Sequence, residues 1–135
     1  MENYLIGKSE RNLHVLLPLC SQEKKDKVEG LVIIFDLKDC GITDLLNSDI
    51  QNYFKKFVKI SQDFYPQLVL KIYIINASYF FSTFWNIIKY ILNETTQKKV
   101  EISSSSNLES LLDRIGADNL PEYLGGKNKM SLDTI

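Results

Sequence analysis

The sequence predicts an α/β fold with a mainly parallel sheet, on three observations. Leu31 to Phe35 and Lys71 to Ile75 are short runs dominated by Val, Ile and Leu, the pattern of strands buried on both faces. Between them, from about Asp49 to Phe64, apolar residues recur at helical spacing (Ile50, Tyr53, Phe54, Phe57, Val58, Phe64), with Lys55, Lys56, Lys59 and Asp63 in the remaining positions. A connection of that length joins parallel neighbours, because antiparallel ones need only a tight turn.

The elements follow in order. Tyr4 to Leu17 reads as a helix with Leu5, Leu13, Leu16 and Leu17 inward, closed by Pro18, since proline lacks the N–H that continues a helix. Gln22 to Glu29 is a charged connector, Leu31 to Phe35 the first strand ending on Asp36, and a loop through Gly41 leads to the helix from Asp49. That helix must stop before Pro66, which disfavours helical geometry at Tyr65. Strand Lys71 to Ile75 is followed by an aromatic helix, about Phe80 to Leu92, a short strand Lys99 to Ile102, and a helix from about Leu108 to Ile115. Ser106 and Glu109 suit a capping box for the last helix, and Gly116 suits the position just beyond its end. Strands and helices thus alternate as βαβαβα, with right-handed crossovers expected.

The chain of 135 residues has the length of one domain, and 44% hydrophobic residues suffice for a core. A formal net charge of −1 supplies no field that would draw the whole molecule to nucleic acid, so no nucleic-acid partner is expected and membrane contact has to be local. Cys20 and Cys40 form no CxxC pair, which favours reduced thiols and the cytoplasm. The longest apolar segment, Tyr79 to Leu92, is interrupted by Ser82, Thr83, Asn86 and Lys89 and falls short of the ~20 residues of a spanning helix. Its apolar residues cover roughly two thirds of the helix circumference, more than one sheet can bury. Something further has to touch the second face: the Tyr4 to Leu17 helix folded back, a second copy of the chain in a homodimer, or an apolar ligand.

Two segments carry a family resemblance: Tyr65-Pro66-Gln67-Leu68-Val69-Leu70-Lys71-Ile72-Tyr73-Ile74-Ile75-Asn76-Ala77, and Leu120-Pro121-Glu122-Tyr123-Leu124-Gly125-Gly126. Together they resemble the CRAL-TRIO lipid-binding domains, of the phosphatidylinositol-transfer type, over about Leu17 to Lys127. The resemblance implies a single domain over 1–135 corresponding to the family's C-terminal lobe, without the helical lobe and first strand that usually precede it. It implies a phospholipid or other small hydrophobic ligand, transient contact with a membrane surface, and binding and exchange in place of catalysis. The 80–92 helix takes the position of the family's mobile gate. The implied apolar pocket comprises Phe80, Phe81, Phe84, Trp85, Ile88 and Ile91 with Leu31 and Ile33 of the first strand. Thr96 and Lys99 match the head-group positions around the strand after the gate, and Gln67 stands where the family has an acidic partner after Tyr-Pro. Further departures are Ser78 in place of proline after Asn76-Ala77, Tyr90 in place of proline after Lys89, and Leu31 and Ile33 where choline-lipid carriers place small hydroxyl residues.

Catalytic motifs are absent: the sequence has no GxSxG, HExxH, Walker loop or GxGxxG, so no cofactor, metal site or enzymatic activity is expected. Asp36, Asp39 and Asp44 follow a strand end, where Asp36 reads as a loop-capping residue. His14, the single histidine, reads as structural. Gly125-Gly126 reads as a turn, since no helix start follows it to cradle a phosphate. The alternative to lipid carriage is a protein-interaction module of the same βα topology, like the anti-sigma-factor-antagonist domains, which works through its surface and has no use for a helix apolar on two faces.

Overall fold

The computed structural model describes residues 2–104 and 108–129. Three parallel strands, β1 (Leu31–Asp36), β2 (Val69–Ile75) and β3 (Val100–Ile102), lie side by side in that order. The α/β expectation and the parallel pairing both hold. The long crossover is α4 (Ser48–Phe64), whose first turn is capped by Asn47 Oδ1 accepting from Asp49 N at 2.8 Å, and which follows a short α3 (Ile42–Leu45). α5 (Phe81–Ile88) and α6 (Glu94–Lys99) connect β2 to β3, and α7 (Leu108–Ile115) follows.

α4 and α5 pack on the same face of the sheet. Phe54, Phe57, Val58, Phe81, Phe84 and Ile88 meet Ile33 and Phe35 of β1, Ile72 and Ile74 of β2, and Val100 of β3. That is the arrangement two right-handed crossovers in one direction produce. Tilted and edge-on ring pairs, Phe35 on Phe54 at 5.2 Å and Phe54 on Phe84 at 5.4 Å, seat α4 and α5 against each other and against β1. The other face belongs to α7 and the chain after it: Ile34, Tyr73 and Ile75 meet Leu111, Leu120 and Leu124.

Several boundaries differ from expectation for identifiable reasons. The N-terminal helix does not end at Pro18. α1 (Glu2–Arg11) passes into a π-helical turn (Asn12–Leu16), in which Leu17 N–H donates to Asn12 O five residues back, and α2 (Leu17–Lys24) continues beyond it. The wider turn absorbs the proline near the start of α2, where its missing N–H costs little. The charged connector is correspondingly shorter and begins with Lys25 in the left-handed conformation, φ 56°. The aromatic helix is Phe81–Ile88 and not 80–92, since Lys89 to Asn93 form turns. Lys99 ends α6 and does not open β3. β2 begins at Val69, with a register shift between Leu31 and Val32 that leaves Leu70 as an extra, half-exposed residue. Gly116 lies beyond α7 with φ 85°, as expected, whereas the proposed Ser106 cap lies outside the described residues.

Candidate functional site

The Tyr-Pro turn, the shift at Leu70 and the end of α6 converge at the N-terminal ends of β2 and β3. Pro66 stops α4, and Leu68 N–H donates to Tyr65 O at 3.1 Å to close the turn. Asn93 Oδ1 caps α6 by accepting from Thr96 N at 2.8 Å, and one and a half turns later Lys99 leaves the helix pointing back toward that turn. Its Nζ donates to Pro66 O at 2.9 Å and to Val69 O at 2.8 Å. A lysine ammonium carries three N–H donors, so one remains for another oxygen.

Lys99 stands between two depressions. On one side lies an open cleft of about 570 Å³, with Leu13, Leu17 and Pro18 from the N-terminal helix, Leu70, and Gln67 on its walls. On the other side a narrow pocket of about 30 Å³ is lined by Thr96, Tyr65, Phe57, Ser61 and Val69. The structure therefore brings Gln67 to Lys99 in the first and Thr96 to Lys99 in the second, with Lys99 common to both. The lining by Leu13, Leu17, Pro18 and Leu70 was not foreseen; it follows from the helix continuing past Pro18 and from the register shift.

A third cavity, of about 200 Å³, opens between α1, β1 and α4. Leu31, Ile33, Phe35, Phe57, Leu68 and Val69 line it, Leu5 closes it from α1, and Lys8, Ser9 and Asn12 stand at its rim. The expected apolar pocket is thus divided. Leu31 and Ile33 do face a cavity, whereas Phe81, Phe84 and Ile88 are buried in the core against α4 and the sheet, with Trp85 and Ile91 packed beside them. Phe80 is 49% exposed and its neighbour Tyr79 90%. The N-terminal helix does fold back, but onto β1 and α4, with Leu5 buried, and not onto α5.

The link from α1 to the Tyr-Pro turn is polar. Tyr65 Oη donates to Glu10 Oε1, and the opposite oxygen of Glu10 meets His14 Nε2 at 3.1 Å on the surface. The bond to Glu10 holds the Tyr65 hydroxyl above its ordinary value of 10.0, because the neutral phenol is the donor.

Two glutamines hold the chain just after α5. Gln62 of α4 donates from Nε2 to Ile91 O at 2.9 Å and accepts at Oε1 from Asn93 N at 3.2 Å. Gln97 of α6 donates to Lys89 O at 3.0 Å and to Leu92 O at 2.9 Å. Sequence inspection missed both residues, since a glutamine on a helix surface carries no signal of its own.

The opposite, C-terminal ends of the strands are stapled shut. Asp36 Oδ1 accepts from Lys38 N at 2.9 Å and from Asn76 Nδ2 at 2.8 Å, which is the loop-capping role expected. Ala77 N–H reaches Ser103 O at 3.0 Å, so Asn76-Ala77 ties β2 to the chain leaving β3. Gly125 turns with φ 82°, and Gly126 N–H donates to Pro121 O at 3.0 Å, a turn as expected.

No helix among the described residues is long and apolar enough to cross a membrane. The family described as the CRAL/TRIO domain matches residues 8–126. The Sec14 cytosolic factor of Schizosaccharomyces pombe is 42% identical over 109 residues, which cover 81% of this chain and 37% of that protein. The phosphatidylinositol/phosphatidylcholine transfer protein SFH12 of Arabidopsis thaliana is 30% identical over 124 residues, 92% of this chain and 23% of that protein. The chain thus spans well under half the length of these relatives. Among solved structures, the crystal structure of Sfh5 superimposes with a TM-score of 0.62 at 26% identity, covering 78% of this chain and 35% of that one.

Proposed function

Because this chain belongs to the CRAL/TRIO domain family, we propose that it binds a phospholipid and exchanges it with a membrane surface, by binding and release and without covalent chemistry. The observation that carries this reading is the position of Lys99, held by Pro66 O and Val69 O at the junction of two clefts with one N–H donor to spare. A lysine fixed in that way meets a phosphate oxygen as a compact point charge. Gln67 and Thr96, on either side of it, supply neutral hydrogen bonds to the rest of a head group. The name of the SFH12 relative points to inositol and choline phospholipids as the ligand class.

The acyl chains require more room than the structure holds closed. The apolar cavity of about 200 Å³ beside Leu31 and Ile33 lies below the ~300–1,000 Å³ of ordinary small-molecule pockets, and a diacyl lipid is larger still. Leaving ~30 methylenes in water costs on the order of 24 kcal/mol at about 0.8 each, so the chains have to be enclosed. Moving α5 away from α4 and the sheet, as a gate, creates that enclosure. Phe81, Phe84, Trp85 and Ile88 then exchange their contacts with the core for contacts with the chains. Tyr79, Phe80 and Tyr90, exposed at the two ends of the helix, are the rings that meet the membrane during exchange. The protein on this reading works in the cytoplasm with transient membrane attachment.

Native mass spectrometry of freshly purified protein, followed by solvent extraction, is expected to show one bound phospholipid. Lys99→Ala is expected to weaken binding to vesicles containing anionic phospholipid about tenfold, the worth of one charge-assisted hydrogen bond. Lys24→Ala, at an exposed position on α2, should leave it unchanged. Equal losses in the two variants, or protein free of lipid that binds no vesicles, would sink the proposal.

A further inference from the structure

The two ends of α5 are attached in different ways. At the N-terminal end the hydrogen bonds among the described residues are local: Phe81 N–H to Ser78 O at 2.9 Å, Thr83 N–H to Phe80 O at 3.2 Å and Ser82 Oγ to Tyr79 O at 3.1 Å. From Ser78 onward none crosses to another element, the nearest crossing bond being Ala77 N–H to Ser103 O at 3.0 Å, ahead of an exposed Ser78 to Phe80 link; no side chain caps the helix. At the C-terminal end the situation is reversed. In the chain that follows α5 the carbonyls of Lys89, Ile91 and Leu92 are each taken by a side-chain amide from another helix. Gln62 reaches in from α4, which is fixed to the sheet through Phe57 and Val58, and Gln97 from α6, which is continuous with β3. Gln62 also satisfies Asn93 N–H, whose own side chain starts α6.

From this asymmetry we propose that Gln62 and Gln97 form an amide clamp that fixes the C-terminal end of α5 as the pivot about which the helix opens, its N-terminal end swinging free. The inference rests on the gate reading above and adds its direction and its hinge. Between the ends α5 is held by Phe81, Phe84 and Ile88, whose apolar contacts are non-directional and can be traded for acyl chains, whereas a directional amide bond to a backbone carbonyl has no substitute in a lipid. The clamp therefore persists through opening. Gln97 is a positioning residue that lines neither cleft at Lys99, whereas Gln62 also borders the narrow pocket that holds Thr96 and Lys99.

Amide hydrogen exchange on the free protein tests this independently of any ligand. In the wild type, amides of residues 78–83 are expected to exchange faster than those of residues 89–93. Gln62→Leu, which removes both of its bonds, should accelerate exchange at residues 89–93 about tenfold, and Gln97→Ala, at an exposed site, should do likewise. Gln62→Glu keeps the acceptor for Asn93 N–H but loses the donor to Ile91 O, and should fall between. Gln51→Ala, which removes an amide bond to Leu45 O elsewhere on α4, should leave residues 89–93 unchanged. Gln97→Ala, which touches neither cleft at Lys99, should also change the rate of phospholipid transfer between vesicles while the amount of lipid retained on purification stays constant, a split that a merely structural role would not give. Slower exchange at residues 78–83 than at 89–93 in the wild type, or unaltered exchange at 89–93 in both clamp variants, overturns the proposal. Failure of the lipid reading shows separately, as absence of extractable lipid and of transfer in every variant, while the exchange pattern scores the pivot alone.

Discussion

The two ends of the three-stranded sheet are built on opposite plans. At the C-terminal ends of the strands, and on the face under α7, the packing is tight: Ile75, Leu111 and Leu120 are the largest fully buried side chains, a pocket of only about 10 Å³ lies beside Tyr73, Ile75 and Leu111, and the loops are tied by Asp36 to Asn76 and Ala77 to Ser103. At the N-terminal ends of β2 and β3 lies the cleft of about 570 Å³, with Lys99 at its edge, and the cavity of about 200 Å³ lies beside β1. Open α/β sheets that carry out chemistry bind ligands beyond the C-terminal ends of their strands. Here that end is tied together by its loops, and the N-terminal end, covered among the described residues by α1, the π-helical turn and α2, is left open. The stable part is a frame, and the loosely covered part is where the chain can yield.

Truncation at matched positions is the strongest way to break this comparison. Leu111→Ala, on the tightly packed face, should cost about 4 kcal/mol, because Leu111 is 1% exposed and truncation removes its full contact with Tyr73, Ile75 and Leu120. Leu31→Ala, on the wall of an existing cavity, should cost about half as much or less, since part of the leucine already faces empty space. Urea unfolding of the two variants measures both. Equal losses would mean that the cavity beside β1 is closed in solution and that the contrast between the two ends does not exist.

The closed end depends next on a glycine. A Cβ added at Gly126 would sit 1.8 Å from Leu120 O and 2.4 Å from Leu120 C, which are backbone atoms and cannot rotate away. Gly126→Ala should therefore displace the Leu120 to Gly126 turn and cost about 3 kcal/mol. Loss of protection at Leu111 and Ile75 by hydrogen exchange, with protection in α1 unchanged, would place the damage on this side of the sheet. Uniform loss throughout would show that the two ends unfold together.

What the sequence discloses divides along the same line. The frame was legible, because β2 is buried on both faces over Ile72 to Ile75 and appears as an unbroken apolar run, because the edge strand β1 keeps the same apolar run although Val32 is exposed, and because α4 presents one face to the core and therefore carries helical periodicity. The closing Leu-Pro and Gly-Gly turn and the Asp36 cap were legible too, since their residue types have few alternative uses. The open end was not. Pro18 reads as a stop, and nothing in the sequence announces the π-helical turn that lets the helix pass it. Glu94 to Lys99 is short and polar without an apolar stripe, so no periodicity marks α6 as a helix, although Asn93 is a cap signal. The meeting of Gln67, Thr96 and Lys99 came from family resemblance and not from spacing, as these residues lie on two segments whose proximity only the sheet creates. That the cavity beside Leu31 and Ile33 contains no residue of the aromatic helix is hidden in the sequence for the same reason.

The smallest effect expected concerns how the roof is attached. Tyr65 Oη donates to Glu10, so one exposed hydrogen bond ties α1 to the Tyr-Pro turn beside the cleft. If the open end is held by peripheral contacts of this kind, Tyr65→Phe should leave the melting temperature nearly unchanged while amides of α1 and the π-helical turn exchange faster. The pH dependence has a definite sign. Donation to Glu10 raises the phenol above 10.0, so the neutral form is favoured in the folded state, and the contribution is complete below that ordinary value and lost as pH rises through the raised one. Wild-type α1 should therefore loosen at alkaline pH beyond the ordinary tyrosine range, and the Tyr65→Phe variant, already loosened, should lack that step. A large fall in melting temperature in Tyr65→Phe would show instead that α1 belongs to the frame, and the roof would then have to be sought in α2 alone.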